Sequence, residues 1–210
     1  ICLTHPDTQP AISYSTLIRS RITAETLNSV YDKNLTTLVM ALRYCRDVLG
    51  TRLYRMPTGL FPWLDSPDPH VAGMAREILA NYAPRLLRVS QEFRFTDYET
   101  GMRVTTHPDQ YVVLNSDNPE VVENSIRTLE AEALIMDRLG CDQSPWAAIN
   151  IHGGKGDRAD RLIDVINQLP LAVKSRLTLE NDERCYTPED LLPICKATGV
   201  NPSTRAKDLS

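Results

Sequence analysis

The hydrophobic positions of the chain follow two alternating spacings, one typical of helices and one typical of strands. Between residues 23 and 50, apolar side chains recur every three or four positions, which predicts a long amphipathic helix. Thr23 is its predicted N-cap, and Gly50 supplies the residue that follows its end. Helical spacing returns at 69–95, 119–139, 157–169 and 187–199. Pro84 should divide the helix at 69–95 in two, because proline lacks the backbone N–H and clashes with the preceding turn.

Short β-rich runs lie between these helices and predict strands. They cover residues 1–4, 52–56, 102–106, 147–151 and 176–179. Strands that alternate with helices are typical of parallel βα units. The sequence therefore predicts an α/β protein with a single domain at 1–200. A polar tail at 201–210 is predicted to be disordered.

Composition narrows the function only a little. The chain has 210 residues, of which 42% are hydrophobic and 24% charged, and this is ordinary for a globular protein. Its net charge of -4 means that nucleic-acid binding would need a local basic cleft. No apolar run reaches the length of a membrane span. The five cysteines are scattered, which argues against a disulfide framework and favours a reducing, cytosolic setting.

Three predicted strand ends carry side chains that suit a metal ion. Pro108 stops one strand, so His107 should occupy its last position, and His152 and Glu180 follow the next two strands. In an α/β barrel the C-terminal strand ends converge on one face, so the three should surround one point. Two imidazoles and a carboxylate suit Mn, Zn or Fe, and such a metal supports phosphodiester hydrolysis. A single histidine at a strand end is more often structural, but three equivalent positions favour a metal site.

The loops beside these strand ends hold further candidates. Lys155 with the preceding Gly153-Gly154 could cradle a phosphate, although a plain tight turn is an equal alternative. Gln110 and Tyr111 could hydrogen-bond and stack on an exposed base. The alternative for Tyr111, which the residues alone favour, is packing against its own loop at 112–114.

Five segments of the chain form a recognisable set: Tyr54–Met56, Leu60–Trp63, His107–Tyr111, Asn150–Gly154 and Leu179–Arg184. In their order and spacing they resemble the UV damage endonuclease family. A His-Gly-Gly piece alone would be a weak signal. The His-Pro-x-Gln-Tyr and Leu-Glu-Asn-Asp-Glu-Arg pieces on successive βα units make a strong one. The match extends from the first residue to about Val200.

The resemblance implies a TIM barrel that binds several divalent metal ions, typically manganese. Such enzymes nick DNA immediately 5′ of UV photoproducts and start excision repair. His107, His152 and Glu180 would be metal ligands and would carry the catalysis, while Gln110 and Tyr111 would probe the lesion. Lys155 and Arg55 are weaker candidates for phosphate contacts. The implied partner is damaged double-stranded DNA and not a membrane, and the protein is expected to be a monomer in the cytoplasm of a prokaryote or the nucleus of a eukaryote.

Two departures from the family pattern qualify this expectation. The family has a further metal-site histidine where this chain has Ser66, and His70, four residues later, could replace it. A complete barrel needs eight strands, whereas about five βα units are predicted here. The chain is therefore expected to be truncated at both ends and to have weak or no activity. Two alternatives stay open: another divalent-metal barrel enzyme, such as a sugar isomerase or epimerase, and a non-catalytic DNA-binding remnant.

Overall fold

The structure, a computed structural model, describes residues 14–19, 22–108, 110–182 and 185–203. The predicted strand at 1–4 lies outside these residues. Contacts between Cα atoms divide the chain into two compact units. The first unit consists of Ile1–Thr105 and Ile135–Asp142, and the second of Thr106–Leu134 and Gln143–Ser210.

Helix α1, Ala24–Arg43, dominates the first unit and begins where the sequence predicts. The Thr23 hydroxyl accepts a hydrogen bond from the Thr26 N–H, and the Thr26 hydroxyl oxygen accepts one from the Thr23 N–H. These two bonds form a capping box at the start of the helix. A π-helical turn at Tyr44–Val48 continues the helix, and Gly50 then adopts a φ of 62°. The buried face of α1 follows the predicted spacing and includes Leu27, Tyr31, Leu35, Leu38 and Leu42.

Proline divides the next helical segment, as predicted. Helix α2 covers Pro69–Asn81 and helix α3 covers Ala83–Phe93, with Pro84 in the first turn of α3. Two short strands flank this pair in sequence, β1 at Leu53–Met56 and β2 at Arg103–Thr106. The Arg103 N–H donates to the Arg52 carbonyl at 2.6 Å, which places β2 beside the start of β1.

The second unit holds a parallel sheet. Strands β3, Ile149–His152, and β4, Leu177–Glu180, pair in parallel over four residues each, and Thr106 at the end of β2 pairs with Ile149. Both strands extend one residue beyond their predicted ends. His152 and Glu180 are therefore the last residues of their strands, whereas His107 lies one residue after β2 rather than at its last position.

Helices connect these strands in sequence. They are α4 at Pro119–Arg138, α5 at Ala159–Gln168, the short α6 at Leu171–Lys174 and α7 at Pro188–Thr198. The predicted ends of α7 are confirmed: Thr187 forms a capping box with Asp190, and Gly199 follows with a φ of 76°. Helix α6 was not predicted, because Pro170 separates a single turn from α5. No helix in the described part of the chain is long and apolar enough to cross a membrane.

The boundary predicted for the polar tail is wrong by three residues. Asn201–Ser203 form strand β5, which pairs in parallel with β4, so that Leu179 lies opposite Pro202. A polar, proline-containing segment is compatible with a position beside the last strand of a sheet, where one side needs no ladder partner. The alternation of strands and helices makes the chain an α/β protein with a parallel sheet, as predicted.

Candidate metal centre

Three predicted ligands meet at the C-terminal ends of neighbouring strands in the second unit. His152 and Glu180 are register partners in the β3–β4 pair, so their side chains leave the same face of the sheet side by side. His107 directly follows β2. One ligand atom from each of the three residues lies within 4.8 Å of the other two. The predicted convergence of these residues is therefore present in the structure.

The distances within this group suit donors that share one ion. The Nε2 atom of His107 lies 2.8 Å from the Oε2 atom of Glu180. Donors bound at about 2.1 Å to one ion stand roughly 3 Å apart when they are neighbours. The His107 and His152 rings meet edge to face, with 5.0 Å between their centroids. The side chains of His107 and Glu180 are only 13% and 11% exposed, so a bound ion would be largely shielded from water.

The backbone fixes which nitrogen of His107 faces the centre. Its Nδ1 atom lies 3.0 Å from the carbonyl oxygen of Pro108, and a carbonyl can only accept a hydrogen bond. When Nδ1 donates to this carbonyl, Nε2 is the nitrogen that would bind a metal ion. A histidine held in this way by a carbonyl is the usual arrangement around protein-bound metals.

His152 supplies independent support for a bound group. Its Nδ1 atom is buried, and no atom of the described residues hydrogen-bonds to it. Leaving a buried polar atom without a partner costs about 1–3 kcal/mol. A metal ion, or water held by one, would give the ring a partner. The donor set of two imidazoles and one carboxylate thus fits a divalent metal ion.

Two residues that the sequence analysis did not single out support Glu180. The Nδ2 atom of Asn150 donates to Glu180 Oε2 at 2.6 Å, and the Thr178 hydroxyl donates to Asn150 Oδ1 at 2.8 Å. Asn150 and Thr178 are register partners, each two residues before a ligand. Since strand side chains on one face recur every second residue, this spacing was the signal in the sequence that could have identified them.

Asn115 was also missed, and it shapes the loop after β3. Its side chain accepts a hydrogen bond from the Lys155 N–H at 2.9 Å and donates to the carbonyls of Lys155 and Gly153 at 2.7 and 3.1 Å. The Tyr186 hydroxyl, whose pKa is raised mainly by burial, also donates to the Lys155 carbonyl. Gly154 has a φ of 81°, and an added Cβ there would overlap Asn115 Oδ1. The loop is therefore a fixed turn held by buried polar groups.

The predicted DNA-contacting residues in this unit are accessible. Gln110 is exposed, and 78% of Tyr111 is exposed. Packing of Tyr111 against residues 112–114, the alternative favoured by the residues alone, is therefore not found. Lys155 is half exposed, and its Nζ lies 3.4 Å from Asp117 Oδ2.

Asp117 also pairs with Arg158, so Lys155 shares its partner with a second cation. Partial desolvation raises the pKa of Asp117, but the hydrogen bond from Lys155 and the charge of Arg158 outweigh it, and the net pKa lies below its ordinary value.

Arg55 and His70 belong to the first unit. Arg55 is an exposed residue of β1, and His70 lies exposed in the first turn of α2, where its N–H donates to Asp68 Oδ1 at 3.0 Å. Within the ranges that the structure describes, the group able to hold a metal contains His107, His152 and Glu180 but not His70. The roles of Arg55 and His70 stay predictions.

Comparisons with known proteins agree on one family. The model of the family described as UV-endonuclease UvdE matches residues 5–202. The UV DNA damage endonuclease of Deinococcus radiodurans is 41% identical over 209 residues, which cover 95% of this chain and 64% of that protein. The UV DNA damage endonuclease of a Nostoc species is 41% identical over 174 residues, which cover 83% of this chain and 51% of that protein.

A solved structure gives the same result. The crystal structure of SacUVDE superposes with a TM-score of 0.76 at 27% identity, over 91% of this chain and 63% of that one. The chain thus spans between about half and two thirds of the length of these relatives. With a family model that matches nearly all of its residues and a metal-capable group at the sites the family resemblance implied, the chain belongs to the UV-endonuclease UvdE family.

Proposed function

We propose that this chain forms part of a metal-dependent DNA repair endonuclease that nicks the phosphodiester backbone 5′ of UV photoproducts and so starts excision repair. The observation that carries the proposal is the convergence of His107, His152 and Glu180 on one point in a chain that belongs to the UvdE family. The names of the relatives, UV DNA damage endonuclease, supply the class of substrate. Residues 1–200 would then form one part of the family's barrel domain.

The proposed metal is a divalent ion, with manganese as the first choice. Mixed imidazole and carboxylate ligands suit Mn as well as Zn and Fe, and the family resemblance favours Mn. When bound, such an ion lowers the pKa of a coordinated water and stabilises the charge that develops on a phosphate. The chain's own contribution is to hold the ligands: the Pro108 carbonyl directs Nε2 of His107 inward, and Asn150 fixes one oxygen of Glu180.

The proposed substrate is damaged double-stranded DNA, read by Gln110 and Tyr111. A tyrosine that is 78% exposed beside a metal centre can stack on an unpaired base, and a small-sugar enzyme would have no use for it. Lys155 could contact a phosphate, but it would have to leave Asp117 to do so. Arg55 would be a second phosphate contact. The protein would act as a monomer wherever the DNA is, in prokaryotic cytoplasm or a eukaryotic nucleus.

A chimeric enzyme tests this function in a full-length context. The matching segment of the Deinococcus radiodurans protein would be replaced by this chain, and nicking of UV-irradiated and intact duplexes would be measured with and without Mn²⁺. We expect manganese-dependent nicks 5′ of the photoproducts, which Glu180→Ala abolishes. The isolated chain should be much less active than the chimera. A folded chimera that cuts neither duplex, or a Glu180→Ala variant with normal nicking, would contradict the proposal.

A further inference from the structure

We propose that Asn150 and Thr178 are positioning residues that hold the Glu180 carboxylate in the orientation required for metal binding. This inference rests on the metal centre in the proposed function and goes beyond it, because it assigns part of the metal affinity to two residues that are not ligands. It follows from the sheet register, from the polarity of two hydrogen bonds and from the burial of the groups involved.

The register of β3 and β4 pairs two polar residues with each other and two predicted metal ligands with each other. Asn150 lies opposite Thr178, and His152 lies opposite Glu180. Residues two apart on a strand share a face, so the two polar residues lie on the same face of the sheet as the two ligands and one step behind them. The sheet itself therefore sets the distance between Asn150 and the carboxylate, with no loop between them.

Two hydrogen bonds link Thr178 to Asn150 and Asn150 to Glu180, each donated toward Glu180. The Thr178 hydroxyl donates to Asn150 Oδ1 at 2.8 Å, and Asn150 Nδ2 donates to Glu180 Oε2 at 2.6 Å. An ionised carboxylate only accepts, so it requires the NH₂ side of the amide. If the amide flipped, its oxygen would face the carboxylate oxygen. A hydroxyl can donate to an amide oxygen or accept from an amide NH₂, so the carboxylate sets the orientation of the Asn150 side chain. The hydrogen bond from Thr178 to Oδ1 then holds the amide in place from its other end.

Burial makes these bonds effective. Thr178 and Glu180 are buried and Asn150 is half-buried, so water competes weakly for their polar atoms. The carboxylate oxygen that receives Asn150 also lies 2.8 Å from His107 Nε2, so both contacts act on one oxygen. Because the hydrogen bond from Asn150 already restricts rotation of the Glu180 carboxylate, little rotational freedom remains to be lost when a metal binds. Groups that support a ligand in this way typically contribute about 10–100-fold to metal affinity.

The test measures the Mn²⁺ dissociation constant of the chain by titration calorimetry, together with the thermal stability of the metal-free protein. We expect Asn150→Ala to weaken Mn²⁺ binding by about 10–100-fold. Thr178→Val, which replaces the hydroxyl by a methyl group of similar size, should also weaken Mn²⁺ binding, but by less than Asn150→Ala does. Thr178→Ser keeps the hydroxyl and should bind like the unchanged chain. Thr198→Val, which removes the buried hydroxyl that bonds to the Ile194 carbonyl in α7, is the matched control and should leave the dissociation constant unchanged.

A double variant separates positioning from general destabilisation. If Thr178 acts through Asn150, Thr178→Val should have no further effect on Mn²⁺ affinity in the Asn150→Ala background. Unchanged Mn²⁺ affinity in Asn150→Ala, or equal losses in Thr178→Val and Thr178→Ser, would overturn the inference while leaving the proposed function intact. Failure of the unchanged chain to bind Mn²⁺ would contradict the metal centre and this inference together.

Discussion

His107 and Glu180 are 73 positions apart in the chain, yet His107 Nε2 lies 2.8 Å from Glu180 Oε2. No local rule brings them together. They meet because each is delivered by the C-terminal end of a strand in a parallel sheet, where neighbouring strands all end at the same edge. With His152 beside them, this contact is the basis for the proposed metal centre, which can be tested one residue at a time.

Replacing Glu180 by Gln should sharply reduce metal binding. The amide keeps the size of the carboxylate but loses its charge, so the Mn²⁺ dissociation constant should rise by at least the ~10–100-fold expected when a ligand's supporting group is lost. Calorimetric titration of the purified chain measures this. Glu189→Gln makes the same change at an exposed position of α7 and serves as the control. Equal affinity in both variants would exclude Glu180 as a ligand.

Replacing Tyr111 by Ala should weaken recognition of damage without affecting the metal. Stacking of one base on an aromatic ring is worth about 1–3 kcal/mol. The difference in binding free energy between the irradiated and the intact duplex should therefore shrink by up to about that amount in the chimeric enzyme. Fluorescence anisotropy with the two duplexes measures the preference, and elemental analysis measures bound manganese. Leu171→Ala, at a residue that is 74% exposed in α6, is the matched truncation. A Tyr111→Ala variant with full discrimination would remove Tyr111 as the reader.

Replacing Gly154 by Ala should destabilise the protein, whereas the same change at Gly73 should not. Gly154 has a φ of 81°, and this left-handed conformation costs about 1–2 kcal/mol for alanine. A Cβ at this position would also overlap Asn115 Oδ1, which adds to the cost. Gly73 lies inside α2 with nothing within 4 Å of an added Cβ, so alanine should gain about 0.5–1 kcal/mol there. Urea unfolding gives both free energies. A Gly154→Ala variant as stable as Gly73→Ala would show that the loop has room to relax.

Asp97 should make folding stability depend on pH in the acid range. A hydrogen bond from the Thr100 hydroxyl, with further ones from the N–H groups of Thr100 and Glu99, lowers the pKa of Asp97 from 3.8 to about 2. Because the folded pKa is the lower one, the stabilisation is fully present above pH 3.8 and is lost as the pH falls through about 2.

The measurement is the difference in melting temperature between the unchanged chain and Asp97→Asn. It should be constant near neutral pH, shrink below pH 3.8 and vanish below about 2. Asp164→Asn, at an exposed position of α5, controls for the loss of one negative charge. A difference between Asp97→Asn and the unchanged chain that does not vary with pH would contradict the assignment.

Features that obey local rules could be predicted from the sequence. Thr23 and Thr187 cap helices because a hydroxyl can reach the free N–H groups of the first turn, and Pro84 divides a helix because it lacks an N–H. The α/β alternation and the placement of His152 and Glu180 at strand ends follow from the hydrophobic spacing in the same way. Strand limits were wrong by one or two residues, since a strand ends where its neighbour stops pairing and not where a propensity changes.

Which buried polar residues hydrogen-bond to one another became clear only from the folded chain. Residues 201–203 form β5 because they pair with the edge of β4. The strand propensities of Asn, Pro and Ser do not predict this pairing. Asn150, Thr178 and Asn115 acquired their roles from partners that the register and the loops brought within hydrogen-bonding distance, 28 to 40 positions away in sequence. The sequence specifies each side chain and its strand, but the partner of a buried polar group depends on which strands lie next to each other.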